Sequence, residues 1–251
     1  MLSKNKIKFI NSLILKKYRD ESGLFIAEGE KIIQELISAD FSIETLILSE
    51  IYLSDFEFVN CEKIIASDSE IKKISSRETP TGIIAVCNKK QTQFSISNIV
   101  NKIVIALDGV QDPGNLGTII RLASWFGIEN IICSLNTVDC YNPKVIQSTM
   151  GAIAHVQITY TDLFNFLKEV RSKEIPIYGT FLDGINIYKS NELKNGIIVF
   201  GNEGNGISKE IESLIGHKLL IPSFNNKEAV ESLNVSMAAA ITISEFKRKS
   251  I

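Results

Sequence analysis

Three segments, far apart along the chain, combine glycines with amide, hydroxyl and charged side chains. The first is Asp108-Gly109-Val110-Gln111-Asp112-Pro113-Gly114-Asn115, with Arg121 further on among Leu116, Ile119, Ile120 and Leu122. The second is Phe200-Gly201-Asn202-Glu203-Gly204-Asn205-Gly206-Ile207-Ser208. The third is Ile221-Pro222-Ser223 and, after a further stretch, Ser232-Leu233-Asn234-Val235. Glycine at a strand end lets a ligand lie against the backbone. Asn115, Ser232 and Asn234 donate and accept hydrogen bonds, Glu203 accepts them, and Arg121 presents a planar fork of donors suited to carboxylate or phosphate. Such a set positions a polar ligand and handles protons. Each residue also has a plainer reading: glycines shape turns, Ser208 and Ser232 cap helices, and an arginine in an apolar helix forms a structural ion pair.

Other chemistries fit less well. Cys61, Cys87, Cys133 and Cys140 show no Cys-x-x-Cys spacing and there are only two histidines, His155 and His217. Neither a zinc site nor a disulfide framework is expected, and Cys133 and Cys140 read as small buried apolar residues. The glycines at 201, 204 and 206 are not the Gly-x-Gly-x-x-Gly of dinucleotide-binding oxidoreductases, and no Gly-Lys-Ser/Thr follows as in a phosphate-binding loop.

The elements that must hold these segments alternate. From Ile103 the chain predicts strands over Ile103–Leu107, Asn130–Cys133, Val156–Thr159, Ile175–Gly179, Ile197–Phe200 and Lys218–Ile221. Helices are predicted over Asn115–Phe126, Pro143–Met150, Asp162–Arg171, Ser208–Ile215 and Leu233–Lys249, with Trp125 on the apolar face of its helix. This is the α/β pattern of a parallel sheet covered by helices, in which ligands sit beyond the carboxyl ends of the strands. The three segments follow Leu107, Phe200 and Ile221, at such ends. Upstream, a helix is expected over Ser3–Tyr18, strands over Leu24–Ala27, Ile43–Leu48 and Gly82–Cys87, a helix over Glu28–Ile37, and a short helix over Ser69–Ile74 capped by Asp68. The polar stretch Asn88–Asn98 reads as a linker, giving domains over residues 1–92 and 93–251.

Twenty-seven Lys and Arg against 29 Asp and Glu give a net charge of −2, so the chain as a whole does not hold nucleic acid by bulk charge. Its first 20 residues do carry Lys4, Lys6, Lys8, Lys16, Lys17 and Arg19 against Asp20 alone. That is either a phosphate-facing patch or an ordinary solvated helix face. No apolar run reaches the roughly 18 residues of a membrane helix. The N-terminus lacks the features of a signal peptide, and a cytoplasmic protein is expected.

In this order and at these strand ends, Asp112–Arg121, Val199–Gly206 and Ser232–Val235 resemble motifs 1, 2 and 3 of the SpoU-type (TrmH-like) RNA ribose 2′-O-methyltransferases of the SPOUT superfamily. Phe25–Lys31 and Thr79–Val86 resemble the small L30e-like RNA-binding domain that precedes the catalytic domain in many members. The resemblance implies a trefoil knot in the C-terminal domain, a homodimer formed through it, and S-adenosyl-L-methionine held by the backbone around Gly201, Ile221 and Leu233, with the Thr180 loop lining the pocket. It implies catalytic roles for Arg121, Asn115, Glu203, Ser232 and Asn234, and RNA contacts from Lys4, Lys6, Lys8, Lys16, Lys17 and Arg19. The substrate would be ribosomal RNA; the alternatives are transfer RNA, or RNA binding without catalysis. An arginine with a pKa above about 12 is a poor base at neutral pH, which suits Arg121 better to gripping a phosphate and steadying a developing alkoxide. One departure is the loop over 223–231, where the family pattern leads one to expect a shorter loop with a glycine.

Overall fold

Apolar runs in this chain form the strands of two separate sheets. The structure, a computed structural model, describes residues 2–90, 95–190, 193–225 and 232–249. Parts of the expected linker (91–94) and of the atypical loop (226–231) lie outside the described residues. The chain divides into two compact units, residues 1–91 with 139–155, and residues 92–138 with 156–251.

The first unit begins with α1 (Lys4–Ser12), α2 (Lys16–Ser22), β1 (Leu24–Glu28), α3 (Glu30–Ser38) and β2 (Ile43–Leu48), and continues with β3 (Glu62–Ile65), α4 (Asp68–Ile71) and β4 (Ile83–Asn88). Its sheet runs β1-β4-β2-β3, with β4 antiparallel to both neighbours and β2 parallel to β3. Ile10, Leu13, Ile26, Ile47, Ile71 and Ile84 meet in one core. The single helix expected over Ser3–Tyr18 is two. The chain turns at Leu13–Leu15, and the carbonyls released there, Leu13 O and Ile14 O, accept from Arg19 Nη1 at 2.9 and 2.7 Å. The cap of α4 is Ser67 rather than Asp68. Its hydroxyl and backbone N–H both bond Glu70, and the Glu70 carboxylate also takes the Leu2 N–H. These bonds, the Ser67 backbone bond first, pull the Glu70 pKa down to about 2.

The second unit holds a six-stranded parallel sheet. It starts with β5 (Ile103–Asp108), α5 (Pro113–Trp125) and β6 (Asn130–Ser134). Residues 139–155, with α6 (Pro143–Thr149), then pack in the first unit, against β1, although their sequence position had placed them in the second domain. The second unit resumes with β7 (Gln157–Thr161), α7 (Leu163–Ser172), β8 (Ile177–Asn186), β9 (Gly196–Gly201), α8 (Lys209–Glu212), β10 (His217–Leu220) and α9 (Val235–Arg248). The strand order is β10-β8-β9-β5-β6-β7. Every residue of β5 and β9 is buried, as expected for strands covered on both faces.

Two local features shape the carboxyl ends of this sheet. The pairing of β8 with β10 jumps from Gly179–Lys218 to Ile185–Leu219, so residues 180–184 bulge out of the ladder. Gly184 permits the return, since a Cβ there would lie 2.6 Å from the Leu219 carbonyl carbon. After β9 the chain folds back in a tight loop in which the backbones of Asn202 and Gly206 exchange two hydrogen bonds of 2.9 Å. A Cβ on Gly201 would fall 2.1 Å from the Gly206 backbone, so this loop requires glycine at 201.

Candidate active site

The loops after β5 and β9 are fastened to each other by Glu203. Its carboxylate accepts from Asp112 N at 3.0 Å, Gln111 N at 3.2 Å and Asn115 Nδ2 at 3.0 Å. Partial burial acts to raise the Glu203 pKa, but the Asn115 amide and the surrounding backbone N–H groups outweigh it and hold the group below its ordinary value. Glu203 is therefore an ionised strut. The same side chain of Asn115 accepts from Asn234 Nδ2 at 3.0 Å, which brings in the third segment. Asn234 Oδ1 in turn caps α9, accepting from Ser236 N at 2.9 Å and from the Ser236 hydroxyl at 2.6 Å. The cap of α9 is thus Asn234, and Ser232 is left exposed on the wall of the cavity beside it.

Two further residues, not singled out from sequence, complete the scaffold. Asn202 donates to Gly109 O at 2.8 Å and accepts from the backbones of Gly204 and Asn205, both at 3.0 Å. Asp108, buried at the end of β5, accepts from Ser208 N at 2.8 Å, while Ser208 caps α8 as its sequence position suggested. The signal for Asp108 was present: a carboxylate closing an otherwise apolar strand.

Beside this cluster opens a cavity of about 540 Å³. Its walls include Thr180 and Leu182 from the β8 bulge, Gly201, Glu203, Ile221, and the Ser232–Asn234 turn. All four residues expected to touch a cofactor therefore face one space. Its volume suits a drug-sized or nucleoside-sized ligand, for which pockets span about 300–1,000 Å³.

Arg121 stands elsewhere. It is exposed on α5 and lines a second cavity, of about 790 Å³, with Trp125, Tyr188 and Ile241. Among the described residues no hydrogen bond or ion pair engages it. Trp125 was expected in the core and is 84% exposed. With about 100° per residue, the buried Leu116, Ile120 and Ala123 define one side of α5, and Trp125 falls about half a turn away, with Arg121 beside it.

The cations expected to meet RNA differ in availability. Lys4 and Lys8 are exposed and, among the described residues, without partners. Lys6 is held by Glu62 at 2.7 Å, Lys16 by Asp20 at 2.6 Å and Lys17 by Glu21 at 3.9 Å. Arg19 does not belong in this group. It is 1% exposed, and its Nη2 meets Asp139 Oδ2 at 2.6 Å, so it cannot offer its charge to a phosphate.

A parallel sheet whose carboxyl-end loops converge on a walled cavity is the arrangement in which α/β proteins bind their ligands. Comparison with known proteins gives the class. Residues 102–244 match the model of the SpoU rRNA methylase family, and residues 4–85 match the MRM3-like substrate-binding domain. The chain is 29% identical over 241 residues to the 23S rRNA (guanosine(2553)-2′-O)-methyltransferase RlmP of Bacillus subtilis, covering 95% of this chain and 94% of that protein. It resembles a TrmH-family structure from Porphyromonas gingivalis at 38% identity and a TM-score of 0.88, over 99% of each chain. It resembles the AdoMet-bound rRNA methyltransferase from Sinorhizobium meliloti at 26% identity and a TM-score of 0.87, over 100% of this chain and 97% of that one. This chain belongs to the SpoU rRNA methylase family and is an RNA methyltransferase.

Proposed function

We propose that the protein transfers a methyl group from S-adenosyl-L-methionine to a ribose 2′-hydroxyl of ribosomal RNA. The observation that carries this reading is the Glu203–Asn115–Asn234 chain of hydrogen bonds, which gathers all three loop segments beside one cavity. The residues present fit the cofactor. Gly201 lines the cavity with backbone, its would-be Cβ position being taken by the Gly206 backbone rather than by open space, and Thr180, Ile221 and Leu233 supply the mixed polar and apolar lining such a molecule needs. When bound, the cofactor supplies an electrophilic methyl group on a sulfonium, so its own chemistry provides the leaving group.

What remains for the protein is positioning. Orienting two reactants in line is worth up to about 7–11 kcal/mol of barrier. Ser232 and Asn234, at the cavity rim, orient the ribose, and Asn115 and Glu203 hold Asn234 in place through the bonds described above. Glu203 has its acceptor capacity committed to N–H donors and acts as a positioning residue. Arg121 is the group that grips phosphate and steadies the developing alkoxide.

In a single chain Arg121 lies on the Trp125 face, away from the walls of the cavity that holds Ser232. We read this face as the homodimer surface. An 84%-exposed tryptophan that lines one cavity with half-exposed Tyr188 is apolar area that a second copy would cover. The second copy would bring an Arg121 toward a completed site. The C-terminal segment is read as a trefoil knot, against the usual rule of unthreaded chains. In support, α9, which follows the edge strand β10, packs back on β9 and α5 at the middle of the sheet, past the 180–184 bulge. The first unit is read as an L30e-like domain that binds the RNA substrate, supported by the substrate-binding family match, with Lys4 and Lys8 as its available cations. A cytoplasmic location is part of the same reading, since ribosomal RNA is found there.

The test is a map of 2′-O-methyl positions in total RNA from cells with and without the gene. Loss of one ribosomal mark supports the reading; an unchanged ribosomal map with a lost mark in transfer RNA replaces the substrate.

A further inference from the structure

The loop that follows β6 presents a rigid polar corner that the proposed mechanism does not use. Leu135 is 73% exposed and Asn136 is exposed, at the two corners of a turn closed by the bond from Thr137 N to Ser134 O at 3.0 Å. An exposed turn is ordinarily free to adjust, but this one is pinned from below by buried groups. Ser134, 7% exposed, accepts from Gly109 N at 2.9 Å and donates to Asn136 Oδ1 at 2.5 Å. The Thr137 hydroxyl, also buried, donates to Leu107 O at 3.2 Å, and Val138 N donates to Val110 O at 2.9 Å. The turn is thus tied to the same 107–112 segment that Asn202 holds at Gly109 O and Glu203 holds at Gln111 and Asp112. Gly109, at φ +72°, gives it room: a Cβ there would stand 3.0 Å from Asn136 Nδ2.

The hydrogen bonds also fix what the amide can offer. With Oδ1 accepting from Ser134, Asn136 keeps its NH2 donors, which lie over Gly109, without a partner among the described residues. Bases in unpaired RNA are recognised by contact with their faces and hydrogen bonds to their edges. Leu135 supplies an apolar shelf and Asn136 a donor-only edge. β6 lies next to β5 on the side away from β9 and β8, whose loops wall the 540 Å³ cavity. To reach this turn, a nucleotide whose ribose sits at Asn115 and Asn234 must extend its base toward that side.

Resting on the function proposed above, we infer that Leu135 and Asn136 form the contact that reads the base of the methylated nucleotide, and that they select a keto edge (O6 of guanine, O4 of uracil) over an amino edge (N6 of adenine, N4 of cytosine). Asn136 is a specificity-determining residue in this reading, with no part in proton transfer.

The experiment uses the full-length protein, tritiated S-adenosylmethionine and an unmodified transcript of 23S ribosomal RNA carrying the mapped target, made in four forms that differ only in the target base. The wild type should prefer the keto forms over the amino forms by about tenfold in kcat/KM, the scale of one unpaired polar group at an interface. Asn136→Asp, which replaces the donors by acceptors, should flatten or invert that preference, and Asn136→Ala should flatten it. S-adenosylhomocysteine should bind all three proteins within about twofold, since the turn lies outside the cofactor cavity. Leu135→Ala should lower kcat/KM for all four transcripts. An equal loss on every transcript by both Asn136 variants, or an unaltered preference, overturns the inference. If the wild type methylates none of the transcripts, the failure is that of the proposed substrate instead.

Discussion

Asn115 and Asn234, 119 positions apart, share a hydrogen bond of 3.0 Å in which the Asn234 amide donates to the Asn115 carbonyl oxygen. The Asn115 amide then donates to Glu203, also at 3.0 Å. An asparagine can serve at position 115 because it accepts with one atom and donates with the other. No carboxylate can do both when ionised.

Asn115→Asp is therefore expected to be severe despite its near-identical shape. It would place a second carboxylate against Glu203 with no donor between them. Methyl transfer measured as kcat/KM should fall by about a hundredfold, as expected when paired polar groups are set against each other, while S-adenosylhomocysteine affinity changes by less than about threefold. Equal losses in both measurements would show that the substitution disturbs the cofactor cavity as well.

Acid should act on the same cluster through Glu203. Its folded-state pKa lies below the ordinary 4.5, so protonation favours the unfolded chain. The stability it contributes is complete above that ordinary value and is lost as the pH falls through the folded-state value. Glu203→Gln keeps the shape but turns an NH2 toward N–H donors, so it should be less stable than wild type at neutral pH. Chemical denaturation across the acid range should show the two proteins converging as the pH falls. A constant gap between them would contradict the role assigned to the carboxylate.

The glycines of the second segment should not behave alike. In Gly201→Ala the new methyl would meet the Gly206 backbone at 2.1 Å, which cannot yield without opening the 202–206 loop. In Gly204→Ala it would meet only Asn202 Oδ1, at 3.6 Å, an ordinary contact. Calorimetry should find S-adenosylhomocysteine binding weakened at least about tenfold in the first variant and within about threefold of wild type in the second.

Much of this arrangement was readable in the sequence, and the parts that were not have separate causes. Ile103–Leu107 and Ile197–Phe200 read as buried strands because they are apolar without interruption, and Ser208 read as a cap from its place before a helix. Local signals of this kind survive into the fold. Arg19 did not, because its role depends on Asp139, 120 positions away, and a lysine-rich neighbourhood looks solvated until that partner is known. The capping of α9 by Asn234 rather than Ser232 and of α4 by Ser67 rather than Asp68 are shifts of one or two residues, because neighbouring polar side chains are equally able to cap and only the backbone geometry selects between them. Trp125 misled for a different reason. Its hydrophobicity suggested the core, whereas its angular position on α5 set it opposite the buried Leu116 and Ile120.

That exposed face yields its own prediction. Trp125→Glu should shift the protein from dimer to monomer in sedimentation velocity and abolish methyl transfer, while leaving the thermal unfolding of each unit in place, since the side chain is 84% exposed and packs little within its own chain. A monomeric wild type, or an active monomeric variant, would remove Arg121 from the proposed site.

The most direct measurement is the chemical position of the transferred methyl group. Purified protein, tritiated S-adenosylmethionine and unmodified 23S ribosomal RNA are incubated together, and the RNA is then hydrolysed in alkali. Alkaline cleavage needs a free 2′-hydroxyl, so ribose methylation should leave the label in a single alkali-resistant dinucleotide. Label released in mononucleotides would place the methyl group on a base and contradict it.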